Sequence, residues 1–400
     1  MKLNRFIGLI GILLCGLAVF ANRLGLDNDS DWGRGRVALL LAGLLLLGLT
    51  LVPLEKIARV RQRLAASQYA QTVLFSSLAA IIVIAAYAWF LAPKFEKPGN
   101  AYYSQLAASL KQGHLYLPQQ PSPELLALEN PYDYEQRKQA GVEFLWDISL
   151  YEGRYYLYWG PAPSLILTPF PASVLARIGD QRLVFFFSCG LFLYLAALIL
   201  AVLRRTSSSL PPWMIGLSLL AAGLSVPLTM MFQSPRIYEA AVIGCQMFFI
   251  GGCFWAFLSL RDDGTVHAWT MGLAALHWAF AVGTRVLVTP AIGILVLGVL
   301  IFAWSKTRSF LSRPFLTALF SLGIPLLLGA LALGWYNWAR FDSPFEIGMK
   351  YQLLFADYSQ LGSLFAPWRI PGNFIQYFLR PYNLHSAFPF IAATENTISN

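Results

Sequence analysis

The sequence predicts an all-α polytopic membrane protein, a helix bundle of about nine spans with a large outer-face loop that carries interfacial helices. Three observations predict it. Charged residues make up only 12% of the 400 residues, against 57% hydrophobic, and mean hydropathy is +0.57, whereas globular domains carry about 25% charge. Apolar runs near the length of about 20 residues that crosses a bilayer recur along the chain. Lys and Arg gather in the short connections between those runs, as the positive-inside rule asks. Such a composition excludes a disordered chain, a collagen-like fibre and a nucleic-acid-binding domain. The formal net charge of +9 is a topology signal, and no nucleic-acid partner is expected.

In chain order the expected spans lie at about 6–21, 37–54, 72–92, 183–203, 213–232, 237–260, 268–284, 286–304 and 315–337. Lys2 and Arg5 before a short apolar run ending Ala-Val-Phe-Ala resemble a signal peptide, but the run reads better as an anchor. A cytoplasmic N-terminus puts Lys2, Arg5, Lys56, Arg59, Arg61, Arg63, Arg204, Arg205, Arg261, Lys306, Arg308 and Arg313 on the inner side, and leaves Arg23, Arg34 and Arg36 outside. The chain is therefore expected in the cell inner (cytoplasmic) membrane as a multi-pass protein.

Residues 161–179 are apolar but contain Pro161, Pro163, Pro169 and Pro171. A mid-helix proline costs about 3 kcal/mol, and counting this stretch as a span would invert the charge pattern downstream. It reads instead as one or two short helices in the outer interface. The organisation that follows has three parts. Residues 1–71 hold two extra N-terminal helices and a cytoplasmic loop. Residues 72–339 form the transmembrane core, including an outer loop over 94–182, and 340–400 form an outer-face C-terminal segment. That last segment ends in polar sequence without a closing helix, which points to a truncated chain.

With this topology Glu55, Asp262 and Asp263 are the only cytoplasmic acids among the 20. No Asp, Glu or Lys falls mid-span. Ion-coupled transporters need ionisable groups at membrane depth, so the pattern favours chemistry at the outer face. The densest cluster runs through Tyr132-Asp133-Tyr134-Glu135, Trp146-Asp147 and Glu152-Gly153-Arg154-Tyr155-Tyr156. Carboxylates beside aromatic rings suit sugars: rings stack on pyranose faces, and a carboxylate accepts a hydroxyl proton as a general base. Asp147 is the leading candidate and Asp133 the second. The plainer alternative is that Asp133, Glu143 and Glu152 are solvated loop charges, a reading that stays open for Asp147 as well.

Several motifs in order carry a resemblance. They are Tyr102-Tyr103-Ser104-Gln105-Leu106-Ala107 with Gly113, Trp146-Asp147-Ile148-Ser149, Gly153-Arg154-Tyr155-Tyr156 and Gly160-Pro161-Ala162-Pro163. Later come Tyr336-Asn337 and Arg340-Phe341-Asp342-Ser343-Pro344-Phe345-Glu346. Together these resemble bacterial membrane enzymes of the GT-C glycosyltransferase superfamily, in the dolichyl-phosphate-mannose–protein mannosyltransferase-like group, over roughly residues 72–390.

The resemblance implies a GT-C-like bundle and transfer of a sugar from a polyprenyl-phosphate carrier to a glycan, lipid or protein acceptor on the outer face. It implies an acid in the first outer loop as base, and basic residues on the carrier phosphate. Asn100 stands where such proteins often place an acid; it can hydrogen-bond a sugar hydroxyl but makes a poor base. Asp147, or less directly Asp133, then takes the base role. Otherwise the chain is a non-catalytic membrane protein that binds lipid-linked glycans for envelope assembly or export. A polysaccharide polymerase or ligase is a third reading.

The binding residues expected are Arg285, Arg340, Asn100, Tyr155, Tyr156 and Glu239. Arg285 would meet the phosphate through charge-assisted hydrogen bonds, or would snorkel at a helix end. Arg340 would bind phosphate or anchor its span, and Glu239 would bind or cap its helix. Membrane lipid is the third partner expected. No cofactor is expected, although the chemistry leaves room for a divalent metal. His114, His267, His277 and His385 lack metal-ligand spacing, and Asp27, Asp29 and Asp31 lack the glycine and distal Glu of a calcium loop.

Overall fold

The computed structural model describes residues 2–24, 32–51, 62, 67–95, 100–206, 210–225, 231–358, 367–379, 382–384 and 391–393. The expectations for Glu55, Lys56, Arg59, Arg61, Arg63, His385 and the Asp27, Asp29 and Asp31 run lie outside these residues. The described chain is overwhelmingly helical. Its backbone contacts divide it into two units, Met1–Ala85 with Ser208–Leu224, and Ala86–Ser207 with Ser225–Asn400.

The first unit holds α1 (Lys2–Phe20), α2 (Arg34–Leu51), the start of α3 (Gln68–Phe95) and α10 (Pro212–Gly223). Helices α1 and α2 pack closely because Gly11 and Gly43 face each other across the contact, with Cys15 beside Gly43. Small residues let helix backbones approach in this way. Gly216 of α10 likewise receives Phe75 of α3.

The second unit begins with the end of α3 and a cap of short elements. The cap contains α4 (Tyr102–Lys111), α5 (Pro123–Leu126), α6 (Tyr134–Ala140), β1 (Ser149–Tyr151), β2 (Arg154–Tyr156), α7 (Ala162–Leu167) and α8 (Ala172–Leu175). Strands β1 and β2 pair antiparallel, Tyr151 opposite Arg154. The two residues of their turn, Glu152 and Gly153, have φ of 47° and 68°, the left-handed pair that a tight hairpin needs. The prolines of 161–179 split that stretch into α7 and α8, as their spacing predicts. Below the cap run α9 (Asp180–Arg205), α11 (Ile237–Ser259), α12 (Ala268–Val282), α13 (Thr289–Thr307) and α14 (Arg313–Phe341).

The expectation of nine spans needs correction. Five described helical stretches are long and apolar enough to cross a membrane: α3, α9, α11, Val286–Thr307 around α13, and α14. The other apolar helices are shorter, Phe6–Phe20, Gly35–Gly48, Pro212–Gly223 and Ala268–Val282. At 1.5 Å per residue, α12 rises only about 22 Å, short of the roughly 30 Å of hydrocarbon. One face of it is buried against protein, with Met271, Ala274, Ala275 and Ala281 fully buried and Trp278 1% exposed, while Trp269 and Leu276 remain exposed. The Trp278 indole lies against Gly252 of α11 and donates to the Phe249 carbonyl at 3.2 Å. By contrast, Ile324, Leu327, Leu328, Leu331, Trp335 and Trp338 of α14 are more than half exposed. So extended an apolar face suits lipid rather than water.

At one end of the second unit, the Arg205 guanidinium at the close of α9 pairs with Asp262 and donates to the Leu260 carbonyl; Gly264 there packs on Lys306. The cap occupies the opposite end.

Candidate functional site

The site grows from three backbone junctions. The first joins the loop after β2 to the end of α12. The Gly160 N–H donates to the Thr284 carbonyl at 3.2 Å and the Ala162 N–H to the Gly283 carbonyl at 3.0 Å. Only glycine fits here, since a Cβ on residue 160 would collide with the Gly283 carbonyl. The junction sets Trp159 beside Arg285, whose guanidinium lies 5.0 Å from the Trp159 ring centre and 5.2 Å from that of Tyr238. Such cation–π contacts hold a charge without neutralising it.

The second junction joins the cap to the segment after α14. The Asp147 N–H donates to the Leu353 carbonyl at 3.1 Å, and the Leu353 N–H returns to the Ile148 carbonyl at 2.9 Å. Asp147 has φ of 66°, a left-handed conformation uncommon for a non-glycine residue, which Asp tolerates better than most. Its carboxylate accepts from the Gln352 side-chain amide. The Trp159 indole N–H lies close to it, yet falls short of hydrogen-bond geometry. Burial pushes the Asp147 carboxyl up to about 6; Trp159 and Gln352 pull it down, Glu239 pushes it up, and Arg285 pulls it down. Asp147 and Arg285, read separately from the sequence, are thus electrostatic neighbours.

The third junction closes the cap onto α9. The Asp180 N–H donates to the Asn100 carbonyl at 2.9 Å. The Asp180 side chain, 1% exposed, sits by the Tyr102 and Tyr103 N–H groups at the start of α4, though neither oxygen makes a well-formed hydrogen bond. Burial, then Asp180 and Asp147, push the Tyr102 phenol up to about 12, so it stays neutral at any working pH.

Other expected residues take different places. Asp133 caps α6, accepting from the Glu135 N–H at 2.9 Å. Glu239 accepts from the Arg236 N–H at 3.0 Å at the start of α11, the helix-capping alternative, while still acting on Asp147 through space. Tyr155 and Tyr156 are 2% and 6% exposed, and Tyr156 packs edge-on to Phe341, so neither offers an open ring face. The exposed Asn100 contributes its backbone carbonyl. Arg340, 4% exposed, donates to the carbonyls of Tyr336 (3.3 Å) and Leu157 (2.9 Å) and to the Asn337 amide oxygen (2.8 Å). It ties α14 to the loop after β2.

A small cleft of about 40 Å³ is lined by Tyr158, Trp159, Thr284, Arg285, Asn337 and Arg340. An apolar groove of about 480 Å³ adjoins it through Leu333, walled by Leu165 of α7, Leu276 and Phe280 of α12, and Leu328 and Trp335 of α14. Among the described residues, no three His, Cys, Asp or Glu side chains converge as a metal site. Sequence reasoning missed Trp159, Gln352 and Asp180 as site residues. No protein-family model, curated protein or solved structure matches the chain.

Proposed function

We propose that the chain is a membrane glycosyltransferase that moves a sugar from a polyprenyl-phosphate carrier to an acceptor hydroxyl at the outer face. One observation carries this reading: a half-buried carboxylate, Asp147, lies within electrostatic reach of Arg285, a cation held by two aromatic faces in a cleft that shares Leu333 with an apolar groove. The groove suits an isoprenoid tail, and Arg285 suits the phosphate at its head. Arg340 lines the same cleft with its guanidinium largely committed to protein acceptors, so its part is to shape the phosphate end.

In the transfer, the acceptor oxygen forms the new bond to the anomeric carbon while Asp147 takes its proton. The bond from that carbon to the phosphate oxygen breaks with inversion, and the electron pair leaves on the lipid phosphate. Arg285 stabilises the charge that builds there. A carboxyl near 6 is ionised at neutral pH and basic enough to assist, which is the compromise general-base catalysis favours.

The test uses purified protein in proteoliposomes with a panel of polyprenyl-phosphate-linked hexoses. Transfer should occur with at least one donor, and polyprenyl phosphate should compete with it far better than inorganic phosphate. Glycolipid binding without turnover of any donor would overturn the reading in favour of a non-catalytic binder.

A further inference from the structure

We infer that Gln352 is a positioning residue for this reaction: it fixes the Asp147 carboxylate in its working orientation and makes the segment after α14 part of the site. The inference rests on the transfer reading above. Gln352 is 3% exposed, and its side-chain amide donates to Asp147 Oδ1. A buried amide is costly unless its hydrogen bonds are made, so an apolar residue would serve better if packing were the only need. The amide instead finds a carboxylate that comes from 205 positions earlier in the chain.

The backbone makes this contact a fixed one. Gln352 forms an antiparallel bridge with Ser149, flanked by the reciprocal bonds between Asp147, Ile148 and Leu353. Further ties hold the segment on both sides. The Ser149 hydroxyl donates to the Gly348 carbonyl at 2.8 Å, and the buried Arg137 guanidinium reaches the carbonyls of Pro131 and Leu354. Asn130 donates to the Asp357 carboxylate at 2.9 Å. Gln352 therefore engages one oxygen of a carboxylate whose backbone is itself clamped, leaving Oδ2 as the oxygen it does not occupy.

The amide also favours the charged carboxylate, because a donor stabilises the anion and not the acid. Asp147→Asn identifies the Asp147 signal in carboxyl 13C spectra of aspartate-labelled protein in nanodiscs. Gln352→Leu should raise the titration midpoint of that signal by about one pH unit. It should also lower kcat about tenfold or more with little change in KM. Gln352→Glu, equal in size, guards against a folding defect and should raise the midpoint at least as far. If Asp147 titrates at the wild-type pH in both folded variants, the inference is wrong even where transfer activity supports the wider reading. If the midpoint moves while no protein, wild type included, transfers sugar, the orienting contact stands and the transfer reading falls.

Discussion

The cap and the helices beneath it are held together by different physics. In the cap, distant segments meet through directed polar bonds: Arg137 to Leu354, Ser149 to Gly348, Gly160 to Thr284, Arg340 to Leu157. In the bundle, helices meet through small residues and rings, with Gly252 under Trp278 and Gly244 under Phe187. Polar contacts there are few, and one of them is the 2.8 Å bond between Tyr194 and His277. The difference teaches where geometry is controlled. Apolar packing sets spacing, but it does not aim a carboxylate. The cap aims Asp147 and Trp159, and the bundle offers an apolar wall and the helix end that carries Arg285.

That contrast can be broken in order of effect. Asp147→Asn should lower kcat about 10²–10⁴-fold with the thermal midpoint unchanged; a proportionate loss of stability would make Asp147 a cap-folding residue instead. Gly160→Ala forces a methyl into the Gly283 carbonyl and should destabilise the second unit by about 3 kcal/mol, read as a lowered unfolding midpoint in detergent. Arg285→Ala should raise the KM for the lipid-linked donor about 10–100-fold, with Arg285→Lys recovering part of it. Tyr194→Phe removes a bundle hydrogen bond worth about 1 kcal/mol and should leave transfer intact. Should Tyr194→Phe instead abolish transfer at full stability, the division of labour between cap and bundle would fail.

Much of the bundle was legible in the sequence, because apolar run length and terminal basic residues report directly on membrane helices. The prolines of 161–179 foretold α7 and α8 for the same local reason. Local signals did not reveal that α12 is too short to span alone, because its end is set where the Gly283 and Thr284 carbonyls meet the loop after β2. The hairpin over 149–156 was not legible, because its strands are only three residues each, too short for an alternating pattern to stand out.

At the site, Asp147 and Arg285 were legible as residues out of place, a carboxylate beside tryptophan and a cation between apolar runs. Their partners were not. Gln352 and Trp159 are ordinary in their own neighbourhoods, and their roles arise from contacts across the fold. Arg340 shows the converse: its charge stood out, while its acceptors are mainly backbone carbonyls, which no sequence pattern marks. Asp180 opens a span like any first-turn acid, and only the fold brings it against the start of α4.

The most direct test of the account is single-turnover transfer from a saturating polyprenyl-phosphate-linked hexose between pH 5 and 8, for wild type and Asp147→Asn. A base whose carboxyl is pushed up to about 6 is protonated below that pH and inactive. The wild-type rate should therefore be level near pH 8, bend near pH 6 and fall about tenfold per unit below it, and the residual Asp147→Asn rate should lack that bend. A flat wild-type profile, or an Asp147→Asn protein that turns over at the wild-type rate, would contradict it.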